Sequence, residues 1–261
     1  VKPYYAHNGI TIYHGDAREI MRGLARNSVD MIWTDPPYGH GNHDDDLNAR
    51  LNGHRGLKNE PIANDTPELM RAVVDGMLYE AVHVLKDDCC CCCCCCCGGG
   101  GPSPTFAWVA NRMDSGGLQF FHSVIWDKIN PGLGWRYRRQ HEMVMVAHKR
   151  GSRLLWADDA TACPNVLQRS IVRERLHPNE KPVSLVAAFL QLHTKPGQLI
   201  LDPFCGSGTT LYTAKGMGRQ AIGVEISEEY CEVSARRLDQ QVLSFGNEES
   251  KVLRDVQGEI F

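Results

Sequence analysis

A chain of 261 residues, 43% hydrophobic and 23% charged, is ordinary for a soluble globular protein and long enough to bury a core without disulfide staples. No apolar run approaches a membrane span and no charged-then-apolar signal precedes the first motif, so a cytoplasmic protein is expected. The net charge of −3 argues against a uniformly basic nucleic-acid binder. Residues 135–177, however, hold nine Lys/Arg and four Asp/Glu, a local +5 against −8 elsewhere, and one basic segment on an acidic body can meet phosphate.

In chain order, Gly9–Asp16 alternates with β-branched residues and predicts a strand; residues 17–24 predict a short helix. "VDMIWT" predicts a buried strand with Asp35 at its carboxyl end. Residues 39–65 are rich in Gly, Asn, His and Asp and read as a long loop. Thr66 as N-cap and Pro67 in the first turn open a helix whose apolar residues keep helical spacing from Leu69 to Leu85. Strands are expected at Phe106–Ala110, Phe121–Asp127 and Glu142–His148. After a basic, irregular segment come a helix ("PVSLVAAFLQLH"), a strand ("QLILDPF"), a helix ("GTTLYTAKGMG"), a strand ("QAIGVEI") and a last helix capped by Ser227. This alternation predicts a parallel sheet with helices on both faces.

Nine consecutive cysteines, Cys89–Cys97, precede four glycines. Adjacent cysteines of a strand point to opposite sides and do not pair. Metal sites use spaced pairs closed by a second pair, so the run is no metal framework on linear spacing. The expectation is an irregular segment, with Phe106–Ala110 resuming as strand.

Two motifs carry chemistry. In "LDPFCGSGTT", residues 201–210, a buried strand enters a glycine loop and then a helix. Glycines admit a ligand close to backbone N–H groups, and the helix terminus adds positive potential. Glu225 ends the next strand, where a carboxylate can accept both hydroxyls of a ribose. The pair points to a nucleoside-bearing cofactor; "GxGxxG" is absent. In "DPPY", Asp35 to Tyr38, two prolines stiffen the turn and remove N–H donors. That leaves carbonyls and Asp35 as acceptors and Tyr38 as a flat face, which suits an exocyclic amine on a planar base.

DPPY followed by the "DPFCGSGTT" loop resembles the amino-methyltransferases of DNA. These use S-adenosylmethionine to methylate adenine N6 or cytosine N4. With DPPY near the amino terminus and the glycine loop near the carboxyl terminus, the order resembles the permuted β group of bacteria and phages. "HGDAREIM", "SVIWDK", "WRYRRQHEMVMVAHK", "HPNEKP" and "EEYCEVSARRL" extend the resemblance over most of the chain. It implies a Rossmann-like α/β methyltransferase fold, with a mostly parallel twisted sheet and circularly permuted motifs. One domain is implied: a catalytic half (1–148), a short basic target-recognition segment (149–176), a cofactor-binding half (177–245) and a tail (246–261).

By the same resemblance Asp35, Pro36, Pro37 and Tyr38 hold the target base. The cofactor is met by Asp16 and Ala17 at its adenine, by Asp202, Phe204, Gly206, Ser207 and Gly208 at its methionine end, by Glu225 at its ribose, and by Asp35; Lys181 pairs with its carboxylate. Arg136, Arg138, Arg139, Lys149, Arg150 and Arg153 are candidates for DNA phosphates. The sulfonium is a good leaving group, so no metal is needed. The expected substrate is double-stranded DNA with a flipped-out adenine, since cytosine-N4 members of the family more often carry Ser in place of Asp35. Cytosine N4, an RNA or protein-glutamine substrate, and an inert DNA-binding module are the rival readings. A homodimer and a cognate restriction endonuclease are the further partners the family allows.

Overall fold

The computed structural model describes residues 1–37, 66–95, 105–132, 138–154, 156, 163–172 and 180–240. Nine strands form one sheet: β1 (Tyr5–His7), β2 (Ile10–His14), β3 (Val29–Thr34), β4 (Leu85–Cys95), β5 (Leu118–Asp127), β6 (His141–Lys149), β7 (Val166–Gln168), β8 (Leu199–Asp202) and β9 (Gln220–Glu225). The helices among the described residues are α1 (Ala17–Arg22), α2 (Pro67–Val84), α3 (Thr105–Ser115), α4 (Val183–His193), α5 (Thr209–Gly216) and α6 (Glu228–Gln240).

Spatial order is β1-β2-β9-β8-β3-β4-β6-β5-β7. The five strands from β2 to β4 are mutually parallel; β1, β6 and β5 run antiparallel to their inner neighbours. From β3 the chain crosses to β4 on one side, whereas β8 crosses to β9 on the other. A crevice opens at the carboxyl ends of β3 and β8, where open α/β sheets take ligands.

The period-2 alternation of strands sorts the core into two layers. Met31, Trp33, Cys90, Cys92 and Ile200 pack against α4, α5 and α6. Ile32, Cys91, Cys93, Leu201 and Val224 pack against α1, α2 and α3. Every residue of β3 is buried, as expected of a central parallel strand covered on both faces.

Three elements differ from expectation. The described part of the cysteine run, Cys89 to Cys95, is not irregular: it lies in β4, and Cys90 to Cys94 are buried between β3 and β6; Cys96 and Cys97 lie outside the described residues. A free cysteine packs as a small hydrophobe, so a uniform run satisfies both faces of a doubly covered strand. The strand expected at Phe106–Ala110 lies instead within helix α3, which buries Val109 and Met113. Those two stand at helical spacing, and a five-residue apolar run does not by itself separate helix from strand. The strand β1 joins β2 through Asn8 and Gly9, both at positive φ, the turn an Asn-Gly pair favours. The loop 39–65 and the tail from 246 lie outside the described residues, as do Tyr38 and Arg136. No described helix is long and apolar enough to cross a membrane.

Candidate active site

A cavity of about 350 Å³ lies in this crevice, within the usual range of small-ligand sites. Strand β3 delivers Trp33, Asp35, Pro36 and Pro37 to it; β8 and the following loop deliver Asp202, Phe204, Cys205, Gly206 and Ser207. From β9 come Glu225, Ile226 and Ser227, from the β2–α1 corner Asp16 and Ala17, and from the start of α4 Glu180 and Lys181. Elements as far apart in sequence as Val29–Thr34 and Leu199–Asp202 thus share one wall because β3 and β8 are neighbours.

Glu225 is fixed by backbone donors: Gly206 N–H at 2.9 Å on Oε2 and Ser227 N–H at 2.9 Å on Oε1. Burial raises its pKa against those bonds. A carboxylate can accept about four hydrogen bonds, so capacity for diol hydroxyls remains. Asp202 accepts from Thr210 Oγ1 at 2.5 Å and from Phe204 N–H at 3.1 Å. Burial pushes its pKa up to about 7. Asp16 caps α1 through Arg18 N–H at 2.8 Å. Its carboxyl is held below the usual range by the Arg18 side chain.

Gly208 does not line the cavity. It sits at φ +78 as the N-cap of α5, and a Cβ there would stand 2.5 Å from Ser234 Oγ. Its role is to let the loop turn against α6. The loop is tied down further by Arg237, which donates to Glu180 at 2.7 Å and to Thr209 Oγ1 at 3.1 Å.

Lys181, expected to pair with the cofactor carboxylate, meets carboxylates of the chain itself. Its Nζ lies 2.6 Å from Asp35 Oδ2 and 3.3 Å from Glu142 Oε2, and Lys128 reaches the other oxygen of Glu142 at 2.5 Å. The chain itself therefore supplies anionic partners for the Lys181 charge, the first of them the DPPY acid. Burial opposes that charge, but Asp35 and Glu142 outweigh it and raise the Lys181 pKa. Burial likewise opposes ionisation of Glu142, yet Lys181 and Lys128 hold its carboxyl below the ordinary range. Sequence reading missed Glu142. The available signal was an acid opening the apolar run "EMVMVAH", which is costly to bury without a cation.

The basic candidates separate into two groups. Because β6 runs antiparallel to β4, residues before His141 lie at the crevice end and Lys149 at the far end. Nine strand residues span about 30 Å. Arg138 and Arg139 are exposed on the crevice side. At the other end Lys149 donates to Asn27 Oδ1 at 2.6 Å and to Leu85 O at 3.0 Å. Arg150 pairs with Asp114, and the Arg153 N–H bonds Asp88 at 2.7 Å. The reversal of β6 places Lys149, Arg150 and Arg153 at the end of the sheet opposite the cavity.

A parallel sheet whose switch-point crevice joins a ribose-type carboxylate, a glycine loop and a rigid acceptor turn defines an α/β enzyme of the nucleoside-cofactor class. The family model for DNA methylases of the N6/N4 type matches residues 29–236, and the chain belongs to that family. It is 26% identical to the type II methyltransferase M2.DpnII of Streptococcus pneumoniae, over 91% of this chain and 92% of that one. It is 24% identical to the type II methyltransferase M2.LlaDCHI of Lactococcus lactis subsp. cremoris, with the same coverage. Among solved structures, the cytosine-N4-specific PvuII DNA methyltransferase superposes with a TM-score of 0.71 at 22% identity, covering 99% of this chain and 96% of that one. The M1.HpyAVI–SAM complex superposes with a TM-score of 0.63 at 24% identity, covering 88% and 99%.

Proposed function

We propose that the chain transfers the methyl group of S-adenosylmethionine to the exocyclic N6 of an adenine flipped out of double-stranded DNA. One observation carries the reading: the Asp35-Pro36-Pro37 turn and the Gly206–Glu225 pair face a single cavity. The lining fits the cofactor, with Glu225 suited to the ribose, Asp202 to the cationic methionine end, and Asp16 with Ala17 to the adenine. When bound, the cofactor supplies a methyl on a sulfonium, a carbon already activated for displacement.

The residues do the rest by positioning and electrostatics. An aromatic amine is a weak nucleophile because its lone pair is delocalised into the ring. Asp35 and the Pro36 carbonyl accept its two hydrogens and favour a pyramidal nitrogen whose lone pair points at the methyl. Tyr38 is assigned the stacking face that offsets part of the flipping cost of roughly a few kcal/mol. Lys181 holds Asp35 in place through their 2.6 Å ion pair; it is a positioning residue. Glu142 and Lys128 complete the charge balance around it.

Asp rather than Ser before the two prolines supports adenine over cytosine N4. The protein is incubated with labelled S-adenosylmethionine and unmethylated duplex DNA, and the DNA is digested to nucleosides. Label in N6-methyladenine is expected. Label in N4-methylcytosine transfers the assignment to cytosine. DNA binding without label leaves the inert module.

A further inference from the structure

The cysteine run, with no period of its own, acquires one in β4. Cys90 and Cys92 stand two apart, so both side chains face α4, in the core layer that α4 completes. Their Sγ atoms are 3.8 Å apart. His193, in the last turn of α4, brings its imidazole to the same point, and the three ligand atoms lie within 4.8 Å of one another. Both cysteines are at most 1% exposed. His193 Nδ1 is buried without a nitrogen or oxygen partner among the described residues, and the imidazole interacts with the Cys90 sulfur. The indole of Trp156 lies over the imidazole at 4.9 Å.

We propose that Cys90, Cys92 and His193 form a binding site for a thiophilic d¹⁰ cation, Zn(II) in the first instance. Two sulfurs bound tetrahedrally at 2.3 Å stand about 3.8 Å apart, the separation found here. The imidazole nitrogen needs a spacing of about 3.6 Å from each sulfur, within a small adjustment of the side chain. Two thiolates and one divalent cation sum to zero charge, the balance an apolar layer demands. His193 is only half buried, so water or an added ligand can complete the fourth position. The site ties the central strand β4 to α4, with none of its three ligands in the cavity lining. Each thiol gives up its proton as it binds, so loading releases up to two protons. Linear spacing argued against a metal because the third ligand lies a hundred residues beyond the run.

The test uses the full chain, reduced and stripped of metal, titrated with Co(II). One equivalent is expected to give thiolate charge-transfer absorption with visible bands of tetrahedral intensity, and one equivalent of Zn(II) to displace them. His193→Gln and Cys92→Ser are each expected to weaken this site at least about tenfold, a loss that even outer partners of metal ligands produce. Cys91→Ala, on the opposite face, is expected to leave it unchanged. His193→Gln carries the test if Cys92→Ser fails to fold, since the imidazole lies at a helix end. Absence of the tetrahedral spectrum, an unchanged spectrum in His193→Gln, or equal loss in Cys91→Ala would each overturn the site.

Discussion

Lys181 Nζ lies 2.6 Å from Asp35 Oδ2, joining the turn that follows β3 to the start of α4 across 146 residues of sequence. With Glu142 at 3.3 Å as well, the buried lysine is shared by two carboxylates. This contact fixes the acid on which the proposed chemistry depends.

Replacing Lys181 by Met removes a buried cation and leaves the partly buried Asp35 without its partner beside buried Glu142. The expected loss is about 3–5 kcal/mol of stability, the usual cost of stranding one side of a buried pair, read by urea unfolding. Lys181→Met with Glu142→Gln should recover part of it, because the repulsion between the two carboxylates is gone. In the surviving fold, transfer should drop far more than cofactor affinity. An equal loss of both would place Lys181 on the cofactor instead.

Asp202 gives a pH signature. Its pKa, pushed up to about 7 by burial, exceeds the ordinary value of about 3.9. Between those values the folded chain keeps a proton that the unfolded chain has lost. Stability of the free protein should therefore fall as pH rises from about 4 to 7 and level off above. Binding of a cationic methionine end favours the ionised form, so S-adenosylmethionine affinity should rise over pH 6 to 8. Asp202→Asn should flatten both profiles, measured by thermal unfolding and calorimetry.

The far-end assignment of the basic residues is tested by salt dependence. Arg138→Ala and Arg139→Ala should each weaken duplex binding and reduce the slope of log K against log salt by about one. The Lys149, Arg150 and Arg153 alanine variants should leave that slope unchanged.

Gly208→Ala should destabilise by about 1–3 kcal/mol. The position needs a positive φ, and the added carbon meets Ser234 Oγ. Adding Ser234→Ala should relieve the clash but not the backbone strain, so recovery should be partial.

What could be read in the sequence follows from where each signal resides. "VDMIWT" and "QLILDPF" announce buried strands because both faces are covered. The Asp35 and Gly206 motifs announce a site because their chemistry is carried by adjacent residues. Thr66 and Pro67 announce the start of α2, and the Thr66 hydroxyl does cap it. The cysteine strand was illegible because a uniform run has no period. Helix α3 was missed because its alternative, a short strand, has the same apolar content. Lys181 was found, but its partners were not, since a lysine's acid is chosen by tertiary proximity and Glu142 lies on a distant strand. The direction of β6, which decides which arginines face the crevice, is likewise set by strand pairing rather than by local sequence.

The central claim is that Asp35 acts on the amine and is not required to hold the cofactor. Its most direct test is Asp35→Asn, assayed for methyl transfer to duplex DNA and, in the same preparation, for S-adenosylmethionine affinity. The expected result is transfer reduced at least about a hundredfold, as for loss of a group that stabilises a transition state, with cofactor affinity changed only a few-fold. Transfer at the unaltered rate, or loss confined to cofactor binding, would contradict it.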